Sequence, residues 1–334
     1  MRAAAGPDSA HPSTSGRPDR ATGAAGLSPL EAGVLGMVLY FDVFRHPLTE
    51  PELTRLLCPG DHAAVARACD TLLSRGLLEG EGAWRYRPGA ARAVGRRREC
   101  ARHAERVWPW AHRAAAVLRA LPWVRGLLVT GSLSKNSAVP DGDVDFLVIV
   151  RPGRVWTLKT LLQGLRRALP PPARELFCTN YLISTDRLEV DDQNLFTAIE
   201  LATAVPLAGR EACVALLESN AWVREFVPGM DWSIARAAAL APDDLPGPGE
   251  RDAGGRLEGA AMRAFDRYWD RKYDWLDARV RAQRFKRRAD VATNHLHDFQ
   301  GYVLREVDAR YRAVGLELPL TRGGVPPGVR LEGG

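Results

Sequence analysis

Several features that would place this chain in a membrane or outside the cell are missing. No apolar run approaches the roughly 18 residues that a spanning helix needs, and the N-terminus lacks the apolar segment of a secretory signal. Cysteine is scarce: Cys58, Cys69, Cys100, Cys178 and Cys213 form neither a C-x-x-C pair nor a zinc-like spacing. All but Cys100, which lies in a charged run, fall in apolar settings, as the reduced thiols of a cytoplasmic protein do. No segment repeats. His295 and His297 are two positions apart, share no helix face, and are rejected as a metal pair.

What remains is a globular composition. The chain has 334 residues, enough for two or three domains with real cores. Its 46% hydrophobic and 26% charged content excludes an intrinsically disordered chain. The net charge is +6, mostly through arginine, which admits a polyanionic partner such as a nucleotide, RNA or DNA but selects none.

The chemistry concentrates between Val124 and Val150. Leu127 to Val129 reads as an apolar strand, Thr130-Gly131-Ser132 as a turn, and a second strand carries Asp143 and Asp145. Period-two geometry puts those two carboxylates on one face and Val144 and Phe146 on the other. Like charges at the mouth of an apolar strand call for a counter-ion. A hard cation such as Mg²⁺ takes oxygen ligands and shares them with phosphates, and a Gly-Ser turn offers N–H groups to a phosphate. Asp141 sits in the preceding loop and reads as a turn residue.

Gly131-Ser132 followed eleven positions after the serine by Asp143-Val144-Asp145 resembles the signature of the DNA polymerase β-like nucleotidyltransferase superfamily. The wider run TGSLSKNSAVPDGDVDFLVIVRPGRVW, with LFCTNYLIS, LFTAIELATAVPL and SNAWVREFVPG, resembles a nucleotidyltransferase-like bacterial family over the middle third of the chain. The resemblance implies that Gly131, Ser132 and Lys135 meet the phosphates of a nucleoside triphosphate such as ATP. It implies that Asp143 and Asp145 are the catalytic acids and hold Mg²⁺ or Mn²⁺, and that a nucleoside monophosphate passes to a hydroxyl acceptor. That acceptor is a small molecule, a protein or RNA. In the superfamily a third carboxylate often sits on the next strand; here Thr179-Asn180 stands there. Asn180 is then expected near the metals, and Glu200, inside the apolar helix Leu195 to Val205, is the best reserve acid ahead of Glu189, Asp191 and Asp192. The bland reading of Glu200 is a structural ion pair with an arginine. Without the third acid, a catalytically weak or inactive nucleotide-binding regulator or adaptor is the alternative.

The implied fold class is α+β: an N-terminal winged helix, a central mixed-sheet polymerase β-like nucleotidyltransferase domain and a C-terminal helical region. Residues 1–26, rich in Ala, Gly, Ser and Pro, read as a disordered tail. In 27–89, capping boxes at Ser28–Glu31 and Thr49–Glu52 open two helices. A third helix stops at Gly76 and a hairpin follows, an order that resembles a winged helix. Its third helix is mixed in charge, so protein docking and nucleic-acid binding stay open, with Arg85 and Arg87 as the wing's phosphate candidates. Residues 90–122 read as a basic connecting helix, its charge run taken as a solvated face. Residues 123–215 form the nucleotidyltransferase domain. Helix Val155 to Leu169 turns Leu158, Leu161 and Leu162 inward and Lys159 outward. Residues 216–316 read as helical, with a long helix to Arg288 and a last one over Ala289 to Val314. The basic cluster Arg281 to Arg288 is a phosphate grip or a solvated helix end, and 317–334 a loose tail. No membrane partner is expected.

Overall fold

The computed structural model describes residues 23–170, 173–174, 178–242, 244–246, 255–275, 277, 286–293 and 298–322. The expected loose ends 1–22 and 323–334, the basic residues Arg281 and Arg284, and His295 and His297 lie outside the described residues. The protein is α+β, and no described helix is long and apolar enough to cross a membrane.

The first unit is built by local signals. Helix α1 (Pro29–Asp42) opens with Ser28 accepting from Glu31 N–H while Glu31 accepts from Ser28 N–H. Strand β1 (Leu48–Thr49) runs into α2 (Glu50–Leu57), where Thr49 and Glu52 repeat the reciprocal cap. Each box satisfies two donors that the helix start leaves open. Helix α3 (His62–Ser74) is capped by Asp61. Strands β2 (Glu79–Glu81) and β3 (Trp84–Tyr86) complete a three-stranded sheet in the order β1-β3-β2, antiparallel throughout. Ala24, inside the expected tail, is buried, and its N–H donates to Val314 O at 2.7 Å.

Helix α4 (Arg92–Arg119) runs unbroken past Pro109 to the central sheet. That sheet comprises β4 (Val124–Thr130), β5 (Asp145–Val150), β6 (Cys178–Ser184), β7 (Val205–Ala208) and β8 (Val291–Thr293), in the order β7-β4-β5-β6-β8. Only β5 and β6 are parallel. β4 and β5 read as near-continuous apolar runs because both faces are covered. Leu128, Leu147, Ile149 and Ile183 meet the first unit's core, together with α7 (Leu195–Thr203), α8 (Arg210–Ser219), α9 (Met230–Leu240) and α11 (Phe299–Val314). Leu127, Val129, Phe146, Val148 and Val150 meet α4, α6 (Val155–Ala168) and α10 (Arg256–Lys272). The four-residue helix α5 (Gly131–Ser134) joins β4 to the loop before β5.

Several expected boundaries move. The segment 216–316 is not helical throughout, because β8 pairs with β6 at the sheet edge. The helix expected to reach Arg288 ends at Lys272, and the last helix starts at Phe299 behind an Asp298 cap. The helix expected over Leu195 to Val205 stops at Thr203, because Val205 enters β7, which pairs with β4. In α6 the faces differ from expectation: Lys159 is fully buried and Leu161 is exposed. Lys159 lies four residues after Val155 and three before Leu162, on the apolar stripe, while Leu161 falls off it. The start of α6 is capped from afar by buried Glu258 of α10, which accepts from Trp156 N–H at 2.7 Å and Thr157 N–H at 2.8 Å.

Candidate functional site

β4 and β5 bring the glycine turn and the acids together. Thr130 pairs directly with Asp145, so the residue that ends β4 faces the one that begins β5. Gly131 follows at φ +69°, a conformation that favours glycine. A Cβ there would run into Asp145 Oδ2 and lie 3.2 Å from its Cγ. Two independent constraints therefore fix glycine at this turn. Asp143 sits outside β5, exposed, two positions before the ladder begins; Val144 between the acids is buried. The expected alternation thus extends beyond the hydrogen-bonded strand.

Asn180 reaches Asp145 through a bulge. The β5–β6 register shifts between Asp145↔Cys178 and Leu147↔Tyr181, so Thr179 and Asn180 together oppose Phe146. A bulge re-aims side chains. The Asn180 amide N–H donates to Asp145 Oδ1, and its own carbonyl oxygen accepts from Cys178 Sγ at 2.8 Å. The freed Thr179 carbonyl accepts from the buried Lys159 ammonium at 2.9 Å.

Glu200 on α7 comes from the other side of the turn. It accepts from Gly131 N–H at 2.9 Å and from Lys135 Nζ at 2.9 Å, while Lys135 also donates to Gly131 O at 3.0 Å. The partner of Glu200 is therefore a lysine from the turn rather than an arginine. The Ser132 hydroxyl is half-buried and makes no hydrogen bond with any described residue. Burial, then the charges of Glu200 and Asp143, push the Asp145 carboxyl up to about 7, with Lys135 opposing. Burial leads this shift, and the two neighbouring carboxylates add to it.

Other sequence candidates lie in separate networks. Asp191 and Asp192 pair with Lys286, and Asp191 also with Arg288, while Glu189 accepts from Gln193. Arg287 pairs with Asp266 and Asp270. The described part of the basic cluster is thus spent on ion pairs. The wing arginines are likewise engaged, Arg85 with Glu50 and Arg87 with Asp42. Asp141 is exposed in a turn. A small cleft lined by Asp42, His46, Tyr86 and Arg87 includes none of the acidic-site residues.

The sequence reading missed Arg97 and Asn136. Arg97 is buried; it donates to Asn136 O at 2.8 Å and to Glu52 at 3.0 Å, and its guanidinium lies 5.3 Å from the Trp84 ring. Trp108 of the same helix donates to the Asn136 side chain at 3.2 Å. His46 lies buried near Arg97 and Lys135, and burial followed by those charges holds its imidazole well below the usual range. The signal for Arg97 was its phase: it falls in the stripe Val94, Cys100, Ala104, Val107, Ala111 that faces inward.

Among the described residues, no group of three or more His, Cys, Asp and Glu is arranged to hold a metal ion. The paired acids Asp143 and Asp145 nevertheless fit the hard, oxygen-loving class of divalent cation, which keeps several waters and takes phosphate oxygens as further ligands. The observation behind that fit is geometric: the Asp145 carboxylate lies against the Gly131 turn, and Asp143 is exposed two residues before it. Compared with models of protein families, with curated proteins and with solved structures, the chain matches none.

Proposed function

We propose that the chain is a nucleotidyltransferase, moving a nucleoside monophosphate from a nucleoside triphosphate to a hydroxyl acceptor at the Gly131–Ser132 turn. The observation that carries this reading is the seating of the Asp145 carboxylate against the Gly131 turn, with Asp143 exposed two residues before it. A backbone turn and paired acids that converge this way suit a polyphosphate neutralised by a divalent ion. Asp143 and Asp145 would hold Mg²⁺ or Mn²⁺. When bound, that ion neutralises the polyphosphate and the leaving pyrophosphate.

The chain's own groups have separable roles. The Ser132 hydroxyl, without a partner among the described residues, donates to a phosphate oxygen. Lys135 exchanges Glu200 for the phosphates, to which a point charge binds well. Asn180 holds the orientation of Asp145. Released from Lys135, Glu200 is the carboxylate beside Asp145 that accepts the acceptor's proton, the task that Asn180 cannot perform. The unit of three helices and a three-stranded sheet resembles a winged helix. Its paired arginines favour docking against protein over reading DNA.

A second reading keeps nucleotide binding without turnover, in a regulator or adaptor. It is favoured by the engagement of Gly131 N–H and Lys135 with Glu200. Incubation of the full chain with triphosphates labelled at the α-phosphate, Mg²⁺ or Mn²⁺, and small-molecule, protein and RNA acceptors separates the two. Label transfer with pyrophosphate release, abolished in Asp143→Asn and Asp145→Asn, supports transfer. Saturable binding with no transfer to any acceptor supports the sensor.

A further inference from the structure

Positive charge is dense along one exposed helix of this protein. Residues 92–113 carry seven arginines against two glutamates, a surplus of five. These residues belong to the single helix α4. Three of the seven are engaged. Arg97 is buried against Glu52, Arg98 pairs with Glu81, and Arg96 donates to Phe44 O. The other four, Arg92, Arg102, Arg106 and Arg113, are exposed, and none has a carboxylate partner among the described residues.

Helical geometry gathers these four. At about 100° per residue, Arg102, Arg106 and Arg113 fall within about 40° of one another, Arg92 and Trp110 lie about 40° beyond Arg106 on one side, and a single exposed acid, Glu99, falls among them. Trp110 is 51% exposed, an unusual placement for an indole, and the Arg113 guanidinium lies 5.0 Å from its ring. The stripe points away from the Arg97 and Trp108 side that touches the Asn136 turn. From Arg92 to Arg113 it spans ~30 Å. Like charges along one helix face repel and cost stability unless an anion neutralises them.

We propose that the outward face of α4 is a docking surface for single-stranded nucleic acid. The strand's phosphates lie along Arg92, Arg102, Arg106 and Arg113, and one base stacks on Trp110. The charge selects a polyanion, and the exposed indole within the stripe selects a strand whose bases are unpaired. A duplex would leave Trp110 without a partner. The surface anchors the strand on the side of α4 that points away from the Asn136 turn, and it stands independently of nucleotidyl transfer.

The test is binding of a labelled oligouridine of about 12 nucleotides to the full chain by fluorescence anisotropy across a salt series. Four phosphate contacts on a single strand give a slope of log affinity against log salt of about −3. In R102A/R106A/R113A the slope flattens by about 2 and affinity falls at least tenfold at ~0.1 M salt. Alanine suits an exposed helix, so this variant keeps its circular dichroism. W110A loses about tenfold in affinity at an unchanged slope, as loss of one stacked base requires. R263A/R267A/R271A, which removes three exposed charges from α10, binds as the parent does. Equal loss in the α10 variant, no effect of W110A, equal binding of duplex of the same length, or no binding at ~0.1 M salt would each overturn the proposal.

Discussion

Arg97 of α4 donates to the carbonyl of Asn136 at 2.8 Å and so ties the turn that carries Gly131 and Lys135 to the first unit. The same guanidinium binds Glu52 of α2 and lies over Trp84 of β3. Asn136 is itself at φ +51°, a left-handed conformation that asparagine tolerates better than most residues. The turn is thus held by the three-helix unit, and the unit cannot be removed without exposing its anchor.

Arg97→Met leaves Glu52 and the Asn136 carbonyl without their buried donor. Breaking such a buried, charge-assisted pair costs about 3–5 kcal/mol. Arg97→Lys supplies one point charge for a planar fork and should recover only part of that loss. Denaturant unfolding of the three proteins checks the order.

Gly131→Ala meets two obstacles, the positive φ and the Asp145 carboxylate. Strained φ alone costs about 1–2 kcal/mol, and displacing Asp145 adds to it. The expected outcome is a folded protein, less stable by about 2–4 kcal/mol, that has lost metal-dependent nucleotide binding. Thermal unfolding and equilibrium binding on one preparation separate the two effects.

Lys159 gives a pH signature. Burial, with Arg166 nearby, holds its ammonium down to about 8, below the ordinary 10.5, although Cys178 acts in the opposite sense. Between those two values the unfolded chain binds more protons than the folded one. The contribution of this group to stability therefore rises with pH across that window and is flat below about 8, while the thiols of Cys69, Cys178 and Cys213, raised by burial, act in the opposite sense above about 9. Lys159→Met abolishes the rise, which urea unfolding at pH 7, 8, 9 and 10 would register. An unchanged slope in the variant assigns the rise to another group.

Glu258 caps a helix that it does not belong to. Glu258→Gln keeps an acceptor for one of the two N–H groups, while Glu258→Ala leaves both Trp156 and Thr157 N–H buried without a partner. The alanine variant should lose about 2–4 kcal/mol and the glutamine variant less. Chemical denaturation measures both.

What was readable in the chain follows range of interaction. The capping boxes at Ser28 and Thr49 and the two apolar strands around Gly131 announce themselves because partner and signal lie within a few residues. The burial of Lys159, the Glu258 cap and the Lys135–Glu200 pair join residues 20 to about 100 positions apart, and no local pattern marks them. The Thr179–Asn180 bulge is a property of two strands in register, so Asn180 could be expected near the acids while its hydrogen bond to Asp145 could not. Lys159 and Arg97 were legible in principle, since each interrupts an apolar stripe at helical spacing.

The central claim is that Asp143 and Asp145 clamp a divalent ion against a nucleotide seated on the Gly131 turn. Calorimetric titration of the full chain with a triphosphate analogue whose α–β bridge resists cleavage, with and without Mg²⁺, tests it most directly. The account predicts saturable heat that requires the metal and disappears in the Asp143→Asn, Asp145→Asn double variant. Binding of equal strength in that variant, or no metal-dependent heat in the parent with either Mg²⁺ or Mn²⁺, would contradict it.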